Sequence, residues 1–187
     1  MKKGNIILIA VIAAVAVLAI FCISSYNSLV SSKENIDNKL AAIDTQLQRR
    51  NDLIPNVVNT VKGYAKHESD VFADVSDARA RLAGAKTTEE TAEADAELSG
   101  AVSRLLMVAE NYPELKADTQ FSALTDELAG TENRIAVARK DYNDAAKTYN
   151  TQIKTFPKVI FANMFGFEKA AYFEASEESK NVPQVNF

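Results

Sequence analysis

The most prominent apolar feature of the chain is an uninterrupted run of 18 residues from Ile6 to Ile23, without a charge, proline or glycine. A helix of that length spans about 27 Å, close to the hydrocarbon thickness of a bilayer. The run predicts an uncleaved membrane anchor in residues 1–24. A cleaved signal peptide is the alternative, because Ala14-Val15-Ala16 matches a small-x-small site. The residues chosen to mark the lipid-facing anchor, called the anchor side chains below, are Ile6, Leu8, Val11, Val15, Leu18, Phe21 and Ile23.

The flanking charges predict the orientation of this anchor. Lys2 and Lys3 precede the run, and Lys33 follows it at a greater distance. The positive-inside bias therefore favours a cytoplasmic N-terminus and an extracytoplasmic domain in the bacterial inner membrane, although the asymmetry is small. Only about five residues precede the run, so no cytoplasmic output domain is expected on that side.

After Ser24, apolar residues recur at alternating spacings of three and four, which is typical of helices packed at shallow angles in bundles or coiled coils. The pattern predicts an all-α fold: an antiparallel up-and-down four-helix bundle over residues 25–156. The expected helices are 25–50, 52–84, 88–113 and 118–156, followed by an aromatic-rich segment at 157–187.

Breaker and capping residues set these boundaries. Asn51-Asp52 can end one helix and cap the next, with Pro55 then in a first turn. A single long helix kinked at Pro55 is the alternative. Gly84 followed by Thr87 predicts a stop and a new N-cap. Asp118 or Thr119 can cap the last helix.

The segment after Pro157 has its own composition, since six of the nine phenylalanines lie in the last 32 residues. One interpretation is a C-terminal strap packed on the bundle. The other is an interfacial or self-association segment, because clustered exposed aromatics mark interfaces. Phe161, Phe165 and Phe167 are the candidate contact residues.

Composition and charge narrow the classes of function. The chain is 47% apolar with a single cysteine, Cys22, which lies inside the apolar run. Because Lys2 and Lys3 contribute two positive charges to the whole-chain value of −4, residues 24–187 carry −6. An acidic domain with interspersed charges has no electrostatic footprint for nucleic acid. Intrachain disulfides and thiolate metal sites are excluded.

Two polar residues interrupt the apolar faces, Glu68 in the second predicted helix and Thr131 in the fourth. Folding the chain about turns near residues 86 and 115 sets Glu68 opposite Arg104, and Arg104 opposite Asp126 or Glu127. We therefore expect these residues to form a polar layer inside the bundle or at its rim. Its role is to set helix register, or alternatively to bind a small ligand or partner.

Arg49, Arg50 and Asp52 surround the first predicted helix boundary. Cations suit a helix C-terminus and an anion suits the next N-terminus, so a capping role is expected. A docking patch for an acidic partner is the alternative.

Several stretches resemble proteins of the LemA family. They are Ile43 to Glu68 (IDTQLQRRNDLIPNVVNTVKGYAKHE), Arg104 to Leu115 (RLLMVAENYPEL), Leu128 to Val137 with TENRI at its centre, and Tyr149 to Phe167 (YNTQIKTFPKVIFANMFGF). The ending, Phe173-Glu174 and Val182 to Phe187, is also of the family type. The resemblance implies a single-pass bacterial membrane protein with a helical-bundle domain and no established reaction. By family analogy, its partners include membrane proteases or TPM-domain proteins.

No catalytic or cofactor set is recognisable in the sequence. His67 is the only histidine, which argues against a di-iron site or a zinc-protease motif. The chain has no Gly-x-Ser-x-Gly and no phosphate-binding glycine loop. The sequence therefore predicts a membrane-anchored, non-enzymatic scaffold or interaction protein that acts through the bilayer and unknown protein partners, with self-assembly possible. The alternative is an extracytoplasmic sensor or small-ligand-binding bundle that signals through another chain. A hydrolase is a distant third.

Overall fold

The computed structural model describes residues 3–65 and 67–173, and within these ranges the regular structure is entirely α-helical, which confirms the predicted all-α class. Six helices follow one another: α1 Lys3–Tyr64, α2 Ser69–Gly84, α3 Thr88–Glu110, α4 Pro113–Lys116, α5 Thr119–Gln152 and α6 Lys158–Phe165. The family-type ending at 182–187, with Phe187, lies outside the described residues, as does Lys2.

The chain divides into two compact units. Among the described residues, the anchor unit comprises 3–38 and 144–170, and the core unit comprises 39–65, 67–143 and 171–173. Residues 3–38 of α1 belong to the anchor unit and its remainder to the core unit. The helix α5 is divided in the same way at residue 143.

The core unit is built around one apolar cluster to which α1, α2, α3 and α5 contribute, together with Leu115 of the short α4. Residues at three- and four-residue spacing on α1, α2, α3 and α5 supply the buried face that the sequence pattern predicts. Leu115 on the short α4 is fully buried with them. The cluster contains Ile54, Val57, Val61, Val75, Ala78, Leu98, Ala101, Val102, Leu105, Ala109, Leu115, Phe121 and Leu128.

The anchor unit packs three helical segments against each other. Leu29 and Ile36 of α1 are buried, as are Tyr149 and Ile153 near the end of α5. Polar contacts join the same segments: Ser32 Oγ donates a hydrogen bond to Gln152 Oε1 at 3.0 Å, and Lys158 Nζ donates to Ser28 Oγ at 2.7 Å. Polar side chains thus supplement the apolar contacts along this part of α1.

The prediction that a helix ends at residue 50 is wrong, because α1 continues through Pro55 to Tyr64. A proline inside a helix removes one backbone hydrogen bond and costs about 3 kcal/mol. The apolar stripe of α1 continues on both sides of it, with Leu47, Ile54, Val57 and Val61 all buried. Burying a side chain of this size contributes about 1.5–3 kcal/mol, so packing of the stripe outweighs the cost of the proline.

Other boundaries agree with the capping residues in the sequence. The second helix ends at Gly84, and Thr87 caps α3 in a reciprocal capping box with Glu90. Asp118 caps α5, because its Oδ1 accepts hydrogen bonds from the backbone N–H groups of Gln120 and Phe121 at 2.8 and 3.1 Å. The helix α3 ends at residue 110 rather than at the predicted 113, and α5 ends at residue 152 rather than at the predicted 156.

Candidate functional site

The anchor side chains all lie exposed on α1. Within the described residues, α1 is the one helix long and apolar enough to cross a membrane, and none of its most apolar window is buried against the protein. Exposing so continuous an apolar surface to water is unfavourable, at roughly 25 cal/mol per Å². The exposed apolar surface of α1 is therefore more stable in an apolar environment such as a bilayer, which is the physical basis for membrane association.

The main buried polar feature of the core unit is an ion-pair cluster, called the charge cluster below, formed by Arg50, Asp95 and Arg139. Arg50 on α1 and Arg139 on α5 each pair with the carboxylate of Asp95 on α3. The Asp95 side chain is only 1% exposed. One carboxylate thus ties together three different helices at a single level.

Two further groups complete the surroundings of Arg50. Its Nη1 donates hydrogen bonds to Glu132 Oε2 at 2.6 Å and to Ser99 Oγ at 3.0 Å. Burial lowers the pKa of Arg50, while the charge of Glu132 and its hydrogen bond act in the opposite direction. The ordinary pKa of arginine is so high that the guanidinium stays charged at physiological pH. Arg50 therefore contributes a permanent positive charge to the charge cluster.

The structure corrects the capping role predicted for Arg49, Arg50 and Asp52. All three lie inside α1 rather than at its end. Arg50 is buried in the charge cluster, whereas Arg49 is exposed and pairs with Glu127 on α5. Asp52 accepts a hydrogen bond from Gln48 at 3.2 Å on the helix surface.

Most residues of the predicted polar layer are not buried inside the core unit. Arg104 is exposed, and its ion pair at 3.2 Å is with Asp74 on α2. Asp126 is exposed as well, and Glu68 is partly exposed at the N-terminal end of α2. The break before α2 displaces Glu68 from the stripe on which the prediction placed it.

Thr131 is the member of the predicted layer that is fully buried. Its hydroxyl donates a hydrogen bond to the Glu127 carbonyl oxygen at 2.8 Å and accepts one from Arg134 at 3.1 Å. The polar position on the apolar face of α5 is thus satisfied within its own helix.

The chain after α6 is held by a repeated Tyr-Asn pair on α5. In the core unit, Asn143 pairs with both backbone groups of Phe173, with N–O distances of 2.9 Å for each bond. The Tyr142 hydroxyl donates to the Ala171 carbonyl at 3.0 Å. In addition, the Phe173 ring packs on Tyr142 with centroids 5.2 Å apart and lies 5.7 Å from the guanidinium carbon of Arg139.

The anchor unit contains the same set of bonds. Asn150 pairs with both backbone groups of Ala170 at 2.9 Å, and the Tyr149 hydroxyl donates to the Glu168 carbonyl at 3.0 Å. Burial raises the pKa of Tyr149, and the charges of Asp37 and Glu168 act in the same direction. These two Tyr-Asn pairs support the strap interpretation of residues 168–173.

In the anchor unit, Phe161, Phe165 and Phe167 pack against residues 21–26 of α1. Phe161 contacts Phe21 with ring centroids 6.0 Å apart. Phe165 and Phe167 both contact Tyr26, at 4.9 and 5.8 Å. These ring contacts lie within the chain, so a role of the three phenylalanines in contacting a partner stays a prediction.

Residues 3–65 and 67–173 contain no group of three histidine, cysteine or acidic side chains placed to hold a metal ion. His67 is exposed, and Cys22 is a free thiol within the apolar run. One open groove of the core unit has a volume of about 350 Å³ and lies between α1 and α5. It is lined by Lys39, Ala42, Gln46, Asn133, Arg134, Val137, Ala138 and Asp141.

Comparison with known proteins agrees with the resemblance seen in the sequence. Magnetosome protein MamQ 2 of Paramagnetospirillum magneticum is 28% identical, over 90% of this chain and 71% of its own. Magnetosome protein MamQ of Magnetospirillum gryphiswaldense is 24% identical, over 99% and 79%. Protein LemA of Metamycoplasma hominis is 24% identical, over 81% and 69%. A match to the LemA family itself covers residues 39–187, and the chain belongs to this family.

Proposed function

We propose that this chain is a single-pass, membrane-anchored scaffold or interaction protein without enzymatic activity. The observation that carries the proposal is α1, which bears the exposed anchor side chains at one end and buried core residues at the other. A tether of this kind raises the local concentration of binding surfaces at a membrane without any new contact.

The proposal also specifies the arrangement of the helices and the location of the core unit. The core unit is an up-and-down four-helix bundle, which the contribution of α1, α2, α3 and α5 to one apolar cluster supports. Its location is the extracytoplasmic side of the bacterial inner membrane, supported by Lys2 and Lys3 before the apolar run. The names of the relatives, magnetosome protein MamQ and Protein LemA, state no reaction, which is consistent with a non-enzymatic role.

The partners we propose are the bilayer, other copies of the chain, and other membrane proteins. Membrane proteases and TPM-domain proteins are the candidates that family analogy suggests. A small-ligand-binding bundle is the second candidate function, and the groove between α1 and α5 is the observation in its favour.

Membrane extraction tests the anchor directly. Wild-type protein should remain in the membrane pellet after alkaline carbonate treatment. Val11→Arg/Val15→Arg should release the protein, because each central arginine costs about 2.5–3.5 kcal/mol in a spanning helix. Val137→Arg makes the same change at an exposed position of the core unit and should leave the protein in the pellet. Release of wild-type protein would contradict the anchor.

Photocrosslinking in intact cells tests the interaction role. A benzoylphenylalanine at Val137 samples the groove, and one at Met107 samples an exposed position on α3. Discrete adducts with proteins support the scaffold, and adducts at twice the chain mass support self-assembly. If both positions give no protein adduct, the interaction role is wrong. Protease added to spheroplasts should digest the core unit if it is extracytoplasmic.

A further inference from the structure

The helix α6, with sequence KVIFANMF, leaves an apolar face exposed in the anchor unit. Its apolar content is high for a surface helix, yet only Ala162 is fully buried. Ile160 and Met164 are exposed and lie four residues apart, hence on one face. Phe156 precedes the helix and is 77% exposed, the highest exposure among the large apolar side chains described. Three large apolar side chains of this short segment are thus exposed at the surface.

Ring contacts place α6 beside a definite level of α1. Phe161 contacts Phe21, two residues before the apolar run ends at Ile23. Phe165 and Phe167 contact Tyr26, three residues beyond that end. Phe21 and Tyr26 are five positions apart, which corresponds to a rise of about 7.5 Å along a helix. This level straddles the end of the hydrocarbon-matched segment, where aromatic belts of membrane proteins lie.

The charge of the segment differs in sign from that of the domain. Residues 153–170 contain Lys154, Lys158 and Lys169 against the single acid Glu168, whereas residues 24–187 as a whole carry −6. An apolar face flanked by lysines is the pattern of helices that lie in the plane of the lipid headgroups, especially of anionic lipids.

We propose that α6 is an interfacial membrane element, with Phe156, Ile160 and Met164 inserted at the boundary between headgroups and acyl chains. The proposal rests on the anchor proposed above. A lipid surface is favoured over a second copy because α6 contacts Phe21 through Phe161, and Phe21 is itself an exposed residue of the apolar run. The element would hold the anchor unit at a fixed depth in the bilayer.

Single-cysteine labelling tests this depth in the full-length protein. Three proteins carry one environment-sensitive fluorophore each: native Cys22, Cys22→Ala/Met164→Cys, and Cys22→Ala/Val137→Cys as the control on an exposed face of the core unit. They are reconstituted in vesicles of phosphatidylcholine and phosphatidylglycerol. Quenching is measured with nitroxide-bearing lipids and with aqueous iodide.

We expect lipid nitroxides to quench the labels at Cys22 and Met164 several-fold more than the label at Val137, and iodide to show the opposite order. A Met164 label that iodide quenches as strongly as the Val137 label, while Cys22 stays lipid-quenched, would overturn the interfacial element but leave the anchor standing. Iodide quenching at Cys22 as well would refute the anchor and the inference together.

A second labelled position guards against a local effect of the substitution. Cys22→Ala/Phe156→Cys should show the same lipid quenching as Met164→Cys, because both residues belong to the proposed inserted face. Spin labels at these positions separate lipid from a second copy. Strong dipolar coupling between labels, with protection from both quenchers, would assign the face to self-association and overturn the proposal.

Discussion

The guanidinium of Arg50 on α1 pairs with the carboxylate of Asp95 on α3, and both side chains are almost completely buried. Removing two charges from water is costly, so such a pair persists only with additional hydrogen bonds and counter-charges. Arg139 from α5 and Glu132 supply these. The charge cluster therefore specifies which residues of three helices lie at the same level, because a shift of one turn would leave a buried charge unpaired.

Asp95→Asn should destabilise the protein strongly. The substitution leaves the charges of Arg50 and Arg139 without their shared buried carboxylate, which costs about 3–5 kcal/mol. Thermal and urea unfolding of the detergent-solubilised protein, followed by circular dichroism, measure the change. Asp74→Asn removes the partner of the exposed Arg104 and is the matched control, with an expected cost of about 0–1 kcal/mol. Equal effects of the two variants would show that Asp95 is not a buried counter-charge.

Replacing the whole charge cluster with apolar residues should preserve stability. Well-packed apolar replacements of buried ion pairs are often neutral or stabilising by about 1–4 kcal/mol. The triple variant Arg50→Met/Asp95→Leu/Arg139→Met should therefore unfold near or above the wild-type temperature, unlike Asp95→Asn. The same unfolding measurements apply. If the triple variant is as unstable as Asp95→Asn, the charges themselves stabilise the fold rather than select its register.

The pKa of Asp118 makes α5 sensitive to acid. Backbone hydrogen bonds from Phe121 and then Gln120 lower this pKa below its ordinary value of 3.8, as does the Tyr64 hydroxyl. A lowered folded-state pKa contributes stability that is present above the unfolded value and is lost as pH falls through the folded value. The difference in melting temperature between wild type and Asp118→Asn should therefore favour wild type at neutral pH and shrink below about pH 4.

Asp126→Asn is the control for this pH series, since Asp126 is an exposed carboxylate farther along α5. Its difference curve should stay flat where the Asp118 curve declines. A flat curve for Asp118→Asn would mean that the carboxylate is not held as the cap of α5.

The charge cluster shows which buried residues can be predicted from the spacing of apolar positions in the sequence. Ile43, Leu47, Arg50, Ile54 and Val57 follow one another at the spacing of a helix stripe, so the pattern itself contains the burial of Arg50. Asp95 stands in the same way before Leu98 and Val102. The assumed helix end at residue 50 concealed this signal, because a residue at a helix end needs no buried partner.

The spacing of apolar residues does not predict which side chains on different helices pair with each other. Reflection about turns placed Glu68 opposite Arg104. Because α1 ends at Tyr64 and α2 begins at Ser69, Glu68 instead lies at the start of α2, and Arg104 pairs with Asp74. A single misplaced turn changes every pairing that is computed from it. Capping boxes survive such errors because they depend on residues only three apart, as Thr87 and Glu90 show.

Pro55→Ala should stabilise α1. The alanine restores a backbone N–H that can bond to the Asn51 carbonyl, and proline in a helix interior is about 3 kcal/mol less favourable than alanine. Urea unfolding should show a gain of up to about 3 kcal/mol, and hydrogen exchange should show a protected amide at residue 55. Pro113→Ala is the control, because Pro113 begins α4, where its missing N–H costs little. Destabilisation by Pro55→Ala would mean that the helix needs the proline's local geometry.

The two Tyr-Asn pairs of α5 predict separate, local effects on the strap. Asn143→Ala leaves both backbone groups of Phe173 without their partner, at a cost of about 1–3 kcal/mol. Hydrogen exchange should therefore accelerate at the Phe173 amide in this variant and at the Ala170 amide in Asn150→Ala. Asn133→Ala, an exposed asparagine on the same helix, should change neither amide. Acceleration at both amides in either single variant would show that the strap detaches as one piece rather than bond by bond.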